Sequence, residues 1–157
     1  GQRVSDLLRL NKDMIRFEEE NLAMIDIVQQ KTNTQVTIPV ENHYVLNILK
    51  SKPPNKISPQ RLNEYMKEVF KRAGINEIIQ GYRLNPKTKR KEKMEGPKYE
   101  FITSHDLRRS FATYHYDNGK SVGKIMKITG HKRESTFYDY IGKNPNKDFD
   151  AYNFLNG

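Results

Sequence analysis

Two short stretches of the chain carry strand-like alternation of apolar positions, Leu22–Val28 and residues 36–40. The polar run 29–34 lies between them, so the pattern predicts a β-hairpin with Lys31 near its tip. Pro39 suits a strand end, where its missing N–H costs little. Ahead of the hairpin, Val4, Leu7, Leu8 and Leu10 read as a short amphipathic helix directly after Gly1. Behind it, a helix is predicted over 41–50 and a loop over 51–58, with Pro53 and Pro54. Ser58-Pro59 is a helix start, an N-cap followed by proline in the first turn. Leu62, Tyr65, Met66, Val69, Phe70 and Ala73 follow at helical spacing until Gly74 stops the helix. Ser104 reads as the N-cap of a helix to Asp117, ended by Asn118-Gly119. Ser121 caps the next helix, ended by Gly130, and a last short helix covers 135–141. The expected fold class is α+β, mainly helical, with a small antiparallel sheet on one edge. That sheet is the hairpin, joined by 78–84 or by 98–102.

Composition narrows the partners. The 157 residues suit one domain, with Lys+Arg 28 against Asp+Glu 19 and a formal net charge of +9. Such an excess points to a polyanion, most often nucleic acid, where phosphate contacts release counterions. There is no cysteine, which excludes a disulfide framework, a thiolate zinc site and a cysteine nucleophile. No apolar run has the length of a membrane span, so the expectation is a cytoplasmic, nucleoid-associated protein with no membrane partner. The chain opens at Gly1 without an initiator Met and reads as part of a longer protein. Segment 81–98 holds seven basic residues against two acidic ones, bracketed by Pro86 and Gly96-Pro97, and is a loop or a protruding hairpin. Its Lys87, Lys89, Arg90 and Lys91 are candidate phosphate contacts, as is Arg109 further on. Residues 144–157 form a polar tail whose bulky apolar residues are Phe149, Tyr152, Phe154 and Leu155.

Three local patterns carry candidate chemistry. They are Gly1-Gln2-Arg3-Val4-Ser5-Asp6-Leu7, Ser104-His105-Asp106-Leu107-Arg108-Arg109, and Thr129-Gly130-His131 followed nine residues later by Tyr140. In this order, with Lys31 on a hairpin between the first two, they resemble the catalytic domain of the tyrosine recombinases, the phage-integrase family. Thr129-Gly130-His131-Lys132 and Phe137-Tyr138-Asp139-Tyr140-Ile141 are most similar to integrases of mobile elements in Bacteroides-like bacteria. The resemblance implies that 1–157 is a catalytic domain lacking its amino-terminal part and its DNA-binding arm domain. It implies six catalytic positions: Arg3, Lys31, His105, Arg108, His131 and the nucleophile Tyr140. It also implies that Asp6 orients a histidine or an arginine, and that the partners are double-stranded DNA and further protomers in a synaptic assembly, a tetramer on DNA. The 144–157 tail is then a segment that packs on a neighbouring protomer.

The residue types fit that chemistry on physical grounds. Attack on a phosphodiester builds negative charge on the non-bridging oxygens, and donors aimed there lower the barrier. The guanidiniums of Arg3 and Arg108 offer planar forks of N–H groups, and His131 adds a donor. A phenol is a poor nucleophile until its proton leaves, which His105, three residues before Arg108, can accept. Lys31 on a hairpin tip is placed to protonate the departing 5′-oxygen. The resulting 3′-phosphotyrosyl link conserves the energy of the broken bond, so the expectation is no cofactor, no metal and no ATP. Tyr114, Tyr116 and Tyr138 compete for the nucleophile; the spacing from His131 selects Tyr140, and Tyr138 lies on another side of its helix. Two alternatives stand beside this reading. The 104–130 region also reads as a helix–turn–helix of a non-catalytic DNA-binding module, and a type IB topoisomerase shares the chemistry.

Overall fold

The computed structural model describes residues 1–51, 56–85 and 87–143. Residues 52–55 of the expected 51–58 loop, Pro86 and the 144–157 tail fall outside the described residues. Two apolar clusters organise the domain, and they adjoin where α5 (Val122–Thr129) packs on β3 (Gln35–Val40).

The first cluster lies under a three-stranded antiparallel sheet in the order β1–β2–β3. These strands are β1 (Ile15–Glu19), β2 (Leu22–Val28) and β3 (Gln35–Val40). Ile25 and Ile27 of β2 point inward onto Leu49, with Leu10, Ile15, Ile38 and Val40 packed around them. Leu49 belongs to α2 (His43–Ser51), whose start is held by Asn42, its side-chain oxygen accepting from the Tyr44 and Val45 amides. The hairpin forms as its alternation predicts. Its joining strand differs from the expected one: β1 supplies it, not 78–84 or 98–102. In β1 only Ile15 and Phe17 are apolar and the rest is charged, so its alternation is faint. It is held instead by its ladder to β2 and by an outward polar row, where Asp26 accepts from Arg16 Nε and from Thr37 Oγ1, both at 2.6 Å.

The second cluster is helical. Ala112, Ile125, Phe137 and Ile141 are buried together, with Tyr116, Val122, Met126, Tyr138 and Tyr140 around them. They come from α4 (Ser104–Asp117), α5 (Val122–Thr129) and α6 (Glu134–Ile141). The cap of α4 is Thr103 rather than Ser104: the Thr103 amide and hydroxyl both reach the Asp106 carboxylate, at 2.8 and 2.6 Å. Both α5 and α6 end on a left-handed glycine, Gly130 and Gly142. Against α4 and the 98–100 turn packs α3 (Pro59–Arg72), started by Ser58 as its sequence predicts. The basic excursion is a separate two-stranded hairpin, β4 (Ile78–Leu84) with β5 (Lys91–Pro97). Residues 98–100 make a 3-10 turn rather than a strand. No helix among the described residues is long and apolar enough to cross a membrane.

Candidate active site

Arg3 is the N-cap of α1 (Val4–Leu7), so its backbone is extended (φ −68°, ψ 149°) and its side chain leaves the helix axis. Its Nη1 donates to Gln29 Oε1 at 2.7 Å. Arg108 lies on α4 and is 3 % exposed. Its Nη1 donates to the Gly1 carbonyl at 2.7 Å and its Nη2 to the Thr129 carbonyl at 2.5 Å. Burial and the neighbouring Arg3 charge lower the Arg108 pKa from its usual value. Arg3, Ser104, His105 and Arg108 line one pocket of about 230 Å³. Arg3, Thr32, His131 and Arg133 line a second of about 330 Å³. The pockets share Arg3 and form one open, cationic surface.

The tyrosine of α6 faces this surface. The Tyr140 ring lies 5.0 Å from the His131 ring and 5.2 Å, edge-on, from the His105 ring, centroid to centroid. The Arg108 and Arg109 guanidinium carbons sit 5.9 and 5.6 Å from its centre. The phenol donates a long bond to the His105 carbonyl, at 3.4 Å. Burial raises the Tyr140 pKa, against the opposing pull of Arg108 and Arg109. His131 is held well below its usual value, at about 4, by burial first and then by the Arg108 and Arg3 charges. Tyr138 turns away, against Tyr116 at 5.9 Å.

Arg3, His105, Arg108, His131 and Tyr140, 137 positions apart at the extremes of the chain, are thus brought together. Arg109 joins them over the Tyr140 ring. Lys31 sits exposed in the β2–β3 turn, and no hydrogen bond or ion pair ties its ammonium among the described residues. Its turn is nonetheless anchored at the cluster on both sides of it, through Gln29 and Thr32. Lys87, Lys89, Arg90 and Lys91 are exposed at the β4–β5 turn and line neither pocket.

Besides the six expected catalytic positions, Gln29, Gly130 and the expected orienting residue Asp6 hold this arrangement. Gln29 is wholly buried, and its amide uses its full capacity. Oε1 accepts from Arg3 and from Thr32 Oγ1 (2.9 Å); Nε2 donates to Gln2 Oε1 (2.8 Å) and to the Thr129 carbonyl (3.1 Å). It thereby joins the Arg3 motif, the Lys31 turn and the Thr129-Gly130-His131 motif. Its signal in the sequence is its phase. Ala23, Ile25 and Ile27 point inward, so residue 29 is the next inward position, and a polar side chain there needs buried partners. Gly130 closes against it: at φ +73°, a Cβ would lie 2.2 Å from Gln29 Oε1. Asp6, also wholly buried, accepts from Arg9 Nη2 and from the Gln30 amide, both at 2.9 Å. It therefore orients an arginine, Arg9, which in turn donates to the Val28 carbonyl at 2.8 Å. Asp6 and Arg9 together pin the root of the Lys31 turn to α1.

Comparison with known proteins adds the family to this geometry. The model of the phage integrase family matches residues 1–147. Curated relatives include the tyrosine recombinase XerC of Rickettsia canadensis, 25% identical over 146 residues. Those of Rickettsia bellii (24% over 148 residues) and Rickettsia prowazekii (25% over 146) are similar. Each alignment covers 89% of this chain and 42% of the relative, so the chain spans less than half the length of these proteins.

Proposed function

The chain belongs to the phage integrase family, and from that premise we propose that it is the catalytic part of a site-specific tyrosine recombinase that cuts and rejoins DNA strands. The observation that carries this reading is the convergence of two guanidiniums, two imidazoles and one phenol on a single open surface. Arg3 and Arg108 clamp the non-bridging oxygens of one backbone phosphate. Tyr140 attacks the phosphorus, its oxygen forms the new P–O bond, and the bond to the 5′-oxygen breaks. Lys31 supplies the proton that the departing 5′-oxygen requires. The product is a 3′-phosphotyrosyl link, which a second 5′-hydroxyl reverses on another strand. The reaction is a transesterification, so it needs neither ATP nor a metal.

The wider assignment follows from the same chemistry. The substrate is double-stranded DNA, in the integration or recombination of a mobile element. Two strands must exchange, so several protomers assemble on the DNA, with the 144–157 tail as the segment that reaches a neighbour. Lys87, Lys89, Arg90 and Lys91 extend the cationic surface along the backbone.

A pool of nicked duplexes with a randomised core traps the covalent step, because the short cleaved strand diffuses away. Denaturing electrophoresis in EDTA and without ATP is expected to show a protein–DNA adduct that Tyr140→Phe abolishes and Tyr138→Phe retains. An adduct surviving in Tyr140→Phe refutes the nucleophile, and one that forms only with added metal refutes the mechanism. Deleting 149–157 is expected to abolish higher-order assembly on DNA; intact assembly refutes the role of the tail.

A further inference from the structure

One of the cations around Tyr140 has no other engagement. Arg109 follows Arg108 on α4 and is exposed. Its guanidinium carbon lies 5.6 Å from the centre of the Tyr140 ring, within the reach of a cation over an aromatic face. Among the described residues no hydrogen bond or ion pair ties it elsewhere. It lines neither pocket of the candidate site, so it stands outside the clamp formed by Arg3 and Arg108. The fold sets this pairing. Ala112 and Phe137 are buried in one cluster, where α4 packs on α6. Arg109 lies three residues before Ala112 and Tyr140 three after Phe137, so each extends the packed side of its helix by one turn.

We propose that Arg109 is a positioning residue for the nucleophile: seated over the Tyr140 ring, its guanidinium holds the ring at the site and steadies the negative charge that the phenol oxygen carries as its bond to phosphorus forms and breaks. The effect on rate rests on the strand-transfer reading above; the effect on the phenol stands without it. The groups facing Tyr140 are His105, Arg108 and Arg109 from α4, His131 from the turn after α5 and Arg3 from the start of the chain. Asp139, its neighbour on α6, is exposed. Burial is the strongest influence on the phenol and disfavours its ionised form. The guanidiniums oppose burial, Arg108 first and Arg109 next. A bound phosphodiester changes that order. Its negative charge lies between Arg3 and Arg108, whose forks then serve the anion. Arg109 is the cation that faces the ring without being shared with the phosphate.

Arg109 neither gives nor takes a proton, since a guanidinium stays charged. In the strand-transfer step the phenol proton passes to a base, the candidate being His105, whose ring stands edge-on to Tyr140 at 5.2 Å. The Tyr140 oxygen bonds to phosphorus, and the bond to the 5′-oxygen breaks with a separate proton from Lys31. The contribution of Arg109 is electrostatic and runs in both directions. In the rejoining step the tyrosine oxygen is the leaving group, and the same cation favours its departure.

Fluorine spectra of the chain made with 3-fluorotyrosine read the ionisation of each phenol, with Tyr140→Phe identifying the signal. Arg109 is exposed, so substituting it leaves the core closed. Arg109→Gln is expected to raise the Tyr140 midpoint by about 0.5–1 pH unit, a modest value because solvent screens an exposed charge. Arg109→Lys keeps the charge and is expected to show less than half of that rise. On the randomised nicked-duplex pool, Arg109→Gln lowers the adduct rate about 3-fold at neutral pH and moves the alkaline limb of the rate to higher pH. Arg109→Lys recovers most of both. In a Tyr140→Phe background, Arg109→Gln leaves the slope of log affinity against log salt unchanged. An unmoved midpoint in Arg109→Gln overturns the proposal, and a slope reduced by about 0.9 then assigns Arg109 to a phosphate instead. An equal rise in Arg109→Lys also overturns it, since shape rather than charge is then what matters. A raised midpoint with an undiminished adduct rate overturns the effect on rate. A raised midpoint with no adduct from the unaltered chain refutes the recombinase reading and leaves the effect on the phenol standing.

Discussion

Gln29→Met tests whether the motifs are held by one side chain or merely lie near each other. Methionine keeps the length and removes the amide. Four hydrogen bonds go: from Arg3 at 2.7 Å, from Thr32 at 2.9 Å, to Gln2 at 2.8 Å and to the Thr129 carbonyl at 3.1 Å. Their losses are unequal. The Thr129 carbonyl keeps its 2.5 Å bond from Arg108, so it is not orphaned. Gln2, Arg3 and Thr32 are half-buried and recover part of their loss in water. Taking about 0.5 kcal/mol for each of three neutral bonds and about 1.5 kcal/mol for the charged one gives about 3 kcal/mol. Burying the methionine tip returns about 1 kcal/mol, leaving a net loss of about 2 kcal/mol. In urea unfolding this is a fall in midpoint of about 1 M at unchanged slope. A double-mutant cycle with Arg3→Ala isolates the pair, with an expected coupling of about 1 kcal/mol. A cycle additive within about 0.3 kcal/mol refutes the reasoning, because Arg3 is then held by something else.

Gly130→Ala is expected to cost at least about 3 kcal/mol in thermal unfolding, since left-handed backbone and a contact with Gln29 at 2.2 Å act together. Gly142→Ala, at φ +69° with open space around it, is expected to cost only about 1 kcal/mol. His131 binds its proton in the unfolded chain near pH 6.5 but in the folded chain near pH 4, so stability is whole above that window and falls as pH drops through it. After discounting for the half-exposed ring the loss is about 1–2 kcal/mol; it is read as a urea midpoint against pH, and His131→Gln is expected to flatten that part of the curve. Around the ring the charged and titratable groups are Arg3, Arg108 and Tyr140, with Lys132 and Arg133 in the pocket it shares with Arg3 and Lys127 and Glu134 on its other open side. Neutralising Lys89, Arg90 and Lys91 together is expected to reduce the slope of log affinity against log salt by about 0.9 for each phosphate that the turn no longer neutralises; an unchanged slope makes that turn a solvated loop.

Most of the helices were legible because their signals are local. Ser58-Pro59 starts α3 and Gly130 and Gly142 end α5 and α6, each through chemistry confined to one turn. The outer strand β1 was not legible, since its pairing with β2 carries it and its own residues alternate faintly. The basic hairpin β4–β5 was expected as a loop or a hairpin, and its independence from the larger sheet is a long-range fact with no local sign. Motif and spacing single out Arg3, His105, Arg108, His131 and Tyr140, which the fold brings together, and Lys31, which it leaves exposed in a turn. What joins them was not legible, although the phase of β2 puts Gln29 inward, and that is a sequence fact. A polar residue in an inward phase is worth pursuing as a fastening point before a structure exists.

The way the two guanidiniums are held explains why they remain available to a phosphate. Arg3 donates to an amide oxygen and Arg108 to two backbone carbonyls, all neutral acceptors. The only buried carboxylate among the described residues, Asp6, accepts from Arg9 and the Gln30 amide through one oxygen, leaves the other without a partner, and acts on Arg108 only as the smallest of several influences. Neutral dipoles fix the direction of each fork without cancelling its charge. The cost is mutual repulsion in a partly dry site, visible as the lowered pKa of Arg108 and the low value of His131. A bound anion relieves that repulsion and gains hydrogen bonds whose geometry is already set. Had the Asp6 side chain turned onto Arg3 instead of Arg9, the same residues would form a neutral ion pair with little pull on a phosphodiester.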